Sequence, residues 1–408
     1  MSLLDKHLLL LTSTNLACNP RCLKEVKLLR SKGAKVSVVA FHLHNWSDEI
    51  EKKLNSELSD VCFNYLETTK KELLPWLISS AFEKISRLLL VFFPSSLFLS
   101  AMAVSKRSWL ILQWTKKNKT TADFVIAHNP AAFYPAYRLA KKSNIPFALD
   151  IEDYHPGEHS PLLVKQAVSF LMTQLMPKTA YTSFASPMIK LYSEKLLTGK
   201  SNSSIVINNV FSKEEFIAPV THITETEKIK LVWFSQYIDY NRGLEKVLPV
   251  LDMFSDSVFL TLIGNTRDNF FLKELKERKY VHCIASIPQA ELNRELSKYD
   301  IGLAIEDGTA DLNRDICLTN KIWSYFQAGL FIIASDTAAQ KLFLAEHPLH
   351  GTCTSLINEK LRFTFQQVVE NREAIQVAKK NRFETARPFN WENESAPLLN
   401  AWKQMAGE

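Results

Sequence analysis

The sequence predicts an α/β protein made of two halves, each a mostly parallel sheet with helices between its strands. Three observations predict this. Short apolar runs alternate with helical stretches from Leu8 to Ile207. The alternation restarts at Leu231 and continues to Ser335, after a polar and charged stretch from Ser212 to Lys230. And 408 residues exceed what one ordinary core holds.

The elements follow in order. Leu8–Thr12 is an apolar run of the kind buried on both faces of a parallel sheet. Arg21–Lys32 carries Cys22, Val26, Leu28 and Leu29 among charges, a helical pattern, with Gly33 placed to end it. Lys35–Phe41 is a strand rich in β-branched residues. Further strands are expected at Phe124–Ala127, Pro146–Ile151, Ala180–Ala185 and Ser204–Ile207, with helices at Ala131–Lys142 and Leu162–Met176. In the second half, strands are expected at Leu231–Phe234, Val258–Ile263, Tyr280–Ala285, Ile301–Ile305 and Phe331–Ser335. Helices are expected at Glu245–Phe254, Gln289–Lys298 and Thr319–Ala328.

Composition excludes some classes. With 46% apolar and 23% charged residues the chain is globular. A net charge of +6 is too small to argue for nucleic acid and suits phosphates or an anionic lipid surface. Six scattered cysteines show no zinc-ligand spacing, so reduced thiols and no metal are expected; Cys18 and Cys22 would share one helix face. The N-terminal residues lack the basic region and cleavage site of a secretory signal.

Residues 88–105 are uncharged, flanked by Trp76, Trp109 and Trp114 and by several lysines and arginines. Three arrangements fit: two helices lying in a membrane interface, buried core helices, or a membrane span broken at Pro94. The tryptophans and lysines favour the interface.

Open α/β sheets bind ligands beyond the carboxyl ends of their strands, and two facing sheets make the cleft between them the first place to look. Asn19-Pro20-Arg21 opens a helix after the first strand, where free N–H groups can hold an anion. His128 ends a strand, where it can bond a sugar hydroxyl or pass a proton. Asp150–Glu158 holds five ionisable residues in nine, and strand alternation puts Asp150 and Glu152 on one face. Arg242 and Gly243 precede a helix and can meet a pyrophosphate. Gly264-Asn265 would allow close approach of a base or ribose. Thr319 or Asn320 caps a helix whose positive end, with Lys321, is the strongest diphosphate candidate.

These pieces, in this order, resemble the GT-B glycosyltransferases, and within them the retaining family 4. The Asn-Pro-Arg start is similar to that family's Asp-Pro-Arg-Val. Ala127-His128-Asn129 is similar to its strand-end His-Asp, and Asp150–Tyr154 to its Asp-x-His-Glu-Leu stretch. Ile207–Phe211 is similar to Pro-Asn-Gly-Val-Asp, and Asn320–Gly329 to Asn-Lys-x-x-Glu-Tyr-x-x-x-Gly. Trp391–Ser395 resembles the tail before a final helix. The resemblance covers nearly the whole chain. The family's paired glutamates fall on Ile316 and Ser324, so Asp315, Glu306 or Asp307 would stand in for the first. Its paired Arg and Lys after the second half's first strand fall on Gln236 and Arg242.

The resemblance implies two Rossmann-like domains facing across a cleft. Residues 1–210 would bind the acceptor and carry an apolar insert at about 72–117; 211–229 would link to a donor-binding domain at 230–385. Residues 386–408 would cross back to the first domain. It implies sugar transfer from a nucleotide-sugar with retention, no cofactor and no metal. His128, Glu152 and Asp153 are the catalytic candidates. Arg242, Gly243, Thr319, Asn320 and Lys321 would bind donor phosphate, and Gln236, Gly264, Asn265, Asp315 and Ser324 the nucleotide or sugar. Asn19, Arg21 and Asp150 would line the acceptor cleft. The expected partners are a nucleotide-sugar, a lipid-linked or oligosaccharide acceptor and an anionic membrane surface, with no nucleic acid. The expected location is peripheral, at the inner face of the cytoplasmic membrane. Two other readings fit: a nucleotide-sugar epimerase, or a non-catalytic membrane-associated homologue.

Overall fold

The computed structural model describes residues 3–199, 203–219 and 228–405. They form two compact units: residues up to Asn208 together with those from Pro397 on, and Asn209–Ala396.

The first unit runs β1 (His7–Thr12), α1 (Pro20–Ser31), β2 (Lys35–Phe41), α2 (Asp48–Glu57) and β3 (Cys62–Leu66). Three helices follow: α3 (Leu73–Leu90), α4 (Leu97–Val104) and α5 (Lys106–Lys117). Then come β4 (Phe124–His128), α6 (Pro130–Ser143), β5 (Phe147–Ile151) and α7 (Leu162–Leu175). β6 (Tyr181–Phe184), α8 (Pro187–Glu194) and β7 (Ser203–Val206) close the unit's first pass. The described strands form one parallel sheet in the order β3-β2-β1-β4-β5-β6-β7. β1, β2, β4 and β5 are buried almost throughout, as central strands covered on both faces must be. Sequence periodicity places α1 and α6 well because each carries Pro at its first turn, where no N–H is needed. It missed α2, α8 and the edge strand β3, whose residues are half exposed.

The apolar insert forms three helices, not two, and no helix among the described residues is long and apolar enough to cross a membrane. The spanning arrangement is therefore corrected: α3 ends before Pro94 and the chain turns back. α4 is mostly buried against α3 and α7, so part of the insert is core. Cys18 lies in a 3-10 turn (Leu16–Cys18) before α1, not on one helix face with Cys22.

The second unit runs β8 (Ile229–Ile238), α9 (Leu244–Leu251), β9 (Val258–Thr266), the turn α10 (Asp268–Phe270), β10 (Val281–Ile284), α11 (Gln289–Glu295) and β11 (Ile301–Ala304). Next are α12 (Leu312–Ile316), α13 (Asn320–Gln327), β12 (Phe331–Ser335), α14 (Ala338–Glu346) and β13 (Gly351–Thr354). α15 (Asn358–Glu370), α16 (Arg372–Val377), α17 (Lys379–Ala386) and α18 (Trp391–Glu394) complete it. Its sheet is parallel, in the order β10-β9-β8-β11-β12-β13. Leu244, Val247 and Leu248 of α9 pack with Leu231, Trp233 and Leu260 in its core. Of the expected linker, residues 220–227 lie outside the described residues.

The last helix, α19 (Ala396–Met405), belongs to the first unit. Trp402 is fully buried there, and its Nε1 donates to the Tyr181 hydroxyl of β6 at 2.8 Å. Trp402→Ala is expected to cost about 3–5 kcal/mol in urea unfolding. A loss under about 1 kcal/mol would show that α19 does not hold this unit together.

Candidate functional site

Each sheet has one place where the strand order reverses, between β1 and β4 in the first unit and between β8 and β11 in the second. In open α/β sheets the loops leaving such strands diverge, and the carboxyl edge there is where ligands bind.

In the first unit that edge is built by Thr12, Ser13, His128 and Asn129. Asn129 joins β4 to α6 with φ 69° and ψ 149°, a backbone state unusual for a side-chain-bearing residue. The Thr12 and Ser13 hydroxyls each donate to its Oδ1 at 3.3 Å and hold it there.

Behind the edge lies a buried ionic cluster. Arg21 Nε donates to Asp150 at 2.9 Å, and another guanidinium N–H donates to the Ile207 carbonyl. Ser183 Oγ also donates to Asp150. His128 Nδ1 lies 3.3 Å from Asp150 and 3.4 Å from Glu152, while its Nε2 lies 3.4 Å from Glu25. Burial pushes Asp150 up, but Arg21, His128 and Ser183 outweigh it and hold its pKa at about 2. Burial disfavours a charged His128, yet the Cys22 thiol, Glu25 and Asp150 around it lift its pKa well above the histidine range. Burial raises that of Glu25, with His128 opposing.

These positions bear on the expected roles. Asn19 caps α1 through the Cys22 N–H, and Asn19, Arg21 and Asp150 have at most 2% of their surface exposed. They are internal here and line no surface. His128 is also fully buried, among carboxylates that raise its pKa, which suits it poorly as a base. Glu152 and Asp153 are the members with partial exposure. Sequence reasoning missed Glu25 and Ser183. The signal for Glu25 was its spacing of four from Arg21, on the face of α1 that carries Cys22 and Val26. Glu25, His128 and Asp150 could between them hold a cation, their ligand atoms lying within 4.8 Å of one another. Arg21 already supplies positive charge to the same Asp150 carboxylate, so a metal ion would compete with it.

In the second unit, β8 bulges between Phe234 and Tyr237, and Gly264 of β9 lies against the bulge. Gly264 has φ 154°, and a Cβ there would sit 2.1 Å from the Ser235 carbonyl oxygen. The absence of a side chain at Gly264 is thus required by the neighbouring strand. Gly243 begins α9 with φ 83°, and a Cβ there would meet Ile305 at 2.4 Å. Gln236, Arg242 and Asn265 are exposed along this edge.

Lys321, in the first turn of α13, makes an ion pair with Glu306 at 2.7 Å and lies 5.6 Å from the Trp233 ring. Thr319 precedes the helix but makes no capping bond, and its hydroxyl is buried without a hydrogen-bond partner. Asn320 is exposed. The segment Ile305-Glu306-Asp307 thus touches Gly243 on one side and Lys321 on the other, with Lys246 3.4 Å from Asp307.

Two expected nucleotide contacts have partners within the unit, and Asp315, part-exposed, also lies beside Gly308 of the loop after β11. Asp315 accepts the Ala338 N–H at 2.9 Å and caps α14. Ser324 is buried and donates to Asn293 of α11 at 3.1 Å. A separate surface cavity, lined by Lys213, Phe216, Gln327 and Arg387, lies toward the other end of α13 from Lys321 and away from the strand ends.

No family model and no curated protein matches the chain. Solved structures do. Alr3699/HepE from Anabaena in complex with UDP superposes with a TM-score of 0.66 at 13% identity, covering 98% of this chain and 100% of that one. Sucrose-phosphate synthase from Thermosynechococcus elongatus gives 0.65 at 10% identity, covering 99% and 100%. The lipopolysaccharide outer core galactosyltransferase WaaB gives 0.62 at 12%, covering 98% and 99%. The fold is therefore GT-B: two Rossmann-like units with the C-terminal helix returning to the first.

Two outcomes follow from this geometry. A histidine with a raised folded pKa stabilises fully below the ordinary value of 6.5 and loses that contribution as pH rises through the raised value. His128→Asn is therefore expected to cost most stability below pH 6.5 and less at alkaline pH, measured by denaturant unfolding across pH. A deficit that does not vary with pH would show that no imidazolium is present. Gly264→Ala is expected to destabilise by about 3 kcal/mol or more, read the same way.

Proposed function

We propose that the chain is a glycosyltransferase that moves a sugar from a nucleotide-sugar to a glycan acceptor in cell-surface polysaccharide assembly. The observation that carries this is the carboxyl edge of the second unit's sheet. There the exposed Arg242 and the N-terminus of α13 with Lys321 flank one strand-end segment, at the strand-order reversal. Structures of similar fold with UDP or UDP-glucose bound support a nucleotide-sugar donor.

In the proposed reaction the bond between the sugar's anomeric carbon and the diphosphate oxygen breaks, and its electron pair stays on the leaving diphosphate. The acceptor hydroxyl oxygen bonds to the anomeric carbon on the same face, with retention, and passes its proton to the departing diphosphate oxygen. Arg242, Lys321 and the uncapped N–H groups of α13 meet the charge growing on the leaving group. Lys321 starts paired with Glu306, so a bound diphosphate shares the ammonium with it and leaves Glu306 able to accept a sugar hydroxyl. Glu152 and Asp153 contact the acceptor, with His128 holding Glu152 in place. The acceptor is lipid-linked and the protein works at the inner face of the cytoplasmic membrane; the apolar insert supports this.

A second reading, a non-catalytic homologue, draws on three positions. Ile316 and Ser324 replace the family's glutamates and are buried, and Glu306 already neutralises Lys321.

A thermal-shift screen over UDP, GDP, ADP and CMP conjugates separates the two. Stabilisation by a nucleotide-sugar supports the enzyme; no shift with any of them favours the non-catalytic reading. Arg242→Ala and Lys321→Ala are each expected to lower turnover about hundredfold or more with the fold intact. Near-normal transfer by both would remove the diphosphate site from this edge.

A further inference from the structure

We infer that α3 and the turn after it form a docking surface for an anionic lipid bilayer, with α3 lying in the membrane plane. This deepens the proposal of a lipid-linked acceptor and rests on it only for its purpose.

The first observation is that α3 is amphipathic the wrong way round for a helix serving only its own domain. Of its three buried positions two are Ser79 and Ser86, the third being Leu90 at its end. Leu74, Leu77, Ala81, Ile85 and Leu88 recur at steps of three and four and are all exposed. Leu74 is 67% exposed and Leu88 69%. The stripe runs into the turn Val91-Phe92-Phe93-Pro94, where Phe92 is 76% exposed. Water-facing apolar area on this scale needs a cover. A helix of 18 residues is about 27 Å long, and this one packs against α4 and α5.

The second observation is charge. Residues 70–119 contain nine Lys or Arg and two Glu, while the rest of the chain contains 40 basic and 41 acidic residues. The protein's whole positive excess is therefore carried by this one segment. Lys84 is exposed beside the stripe, and the Lys70 and Lys106 ammonium groups lie 5.4 Å and 5.7 Å from the Trp76 ring. An apolar face edged by tryptophan and lysine matches the boundary between acyl chains and anionic headgroups. A second copy of the chain matches it less well, because two such basic segments repel one another.

The test is flotation of the full chain with vesicles of phosphatidylcholine alone, or of equal parts phosphatidylcholine and phosphatidylglycerol. The protein is expected to float with the anionic vesicles, less so at high salt, and not with the neutral ones. Lys70→Gln and Lys84→Gln are each expected to weaken binding about fivefold. Leu88→Ser combined with Phe92→Ser should weaken it about tenfold or more. These residues lie on the surface outside the proposed donor site, so thermal unfolding and any nucleotide-induced shift should be unchanged. Docking and sugar transfer can thus fail separately. Failure of the native chain to float with anionic vesicles overturns the inference, as does undiminished flotation of the Leu88/Phe92 variant. So does a dimer in sedimentation, without flotation, that the same double variant dissolves.

Discussion

Parallel pairing is the constraint from which the rest of this structure follows. A parallel strand cannot turn directly into its neighbour, so each connection must return along the outside of the sheet, usually as a helix. Helices then cover both faces, and the strands between them must be apolar throughout. Polar residues that belong to strands are pushed to strand ends. At the two reversals of strand order, flanking connections leave in opposite directions and those ends are left open. Thr12, Ser13 and Asn129 occupy one such end, and Arg242, Glu306 and Lys321 the other.

The two ends are stabilised differently. In the first unit a cluster of opposite charges, Arg21 and His128 against Asp150, Glu25 and Glu152, sits under the edge almost without solvent. Removing one member leaves the others buried and uncompensated, so such a cluster is rigid and intolerant of change. In the second unit the support is steric. Gly243 and Gly264 let backbone pass where a single methyl group would collide with Ile305 or with Ser235. A rigid floor and close-packed loops are two routes to the same result, a polar edge with fixed geometry.

How much of this was legible in the sequence depended on burial. Lys35–Phe41 and Phe331–Ser335 were placed to the residue, because central strands must be apolar and β-branched residues fit them. The edge strands Cys62–Leu66 and Gly351–Thr354 were not seen; with one side open they carry Asn, Cys and Thr and lose the signal. β8 read as four residues and is ten, because Ser235 and Gln236 at its bulge look like loop. Motif matching picks out strand ends but not the direction of side chains. Arg21, Asp150 and Ser324 stand at expected positions and point inward, and Asp315 ends as a helix cap. No single-sequence pattern distinguishes an ion facing water from one facing another ion.

The uneven distribution of charge along the chain has a consequence for handling as well as for biology. Nearly all the net cationic character at neutral pH belongs to about an eighth of the residues, those from 70 to 119. On a cation exchanger the molecule is thus retained by one patch and in one preferred pose, with an oily helix beside the resin. A shortened chain without that stretch would pass from basic to almost neutral, and would migrate as a different protein in any separation based on isoelectric point.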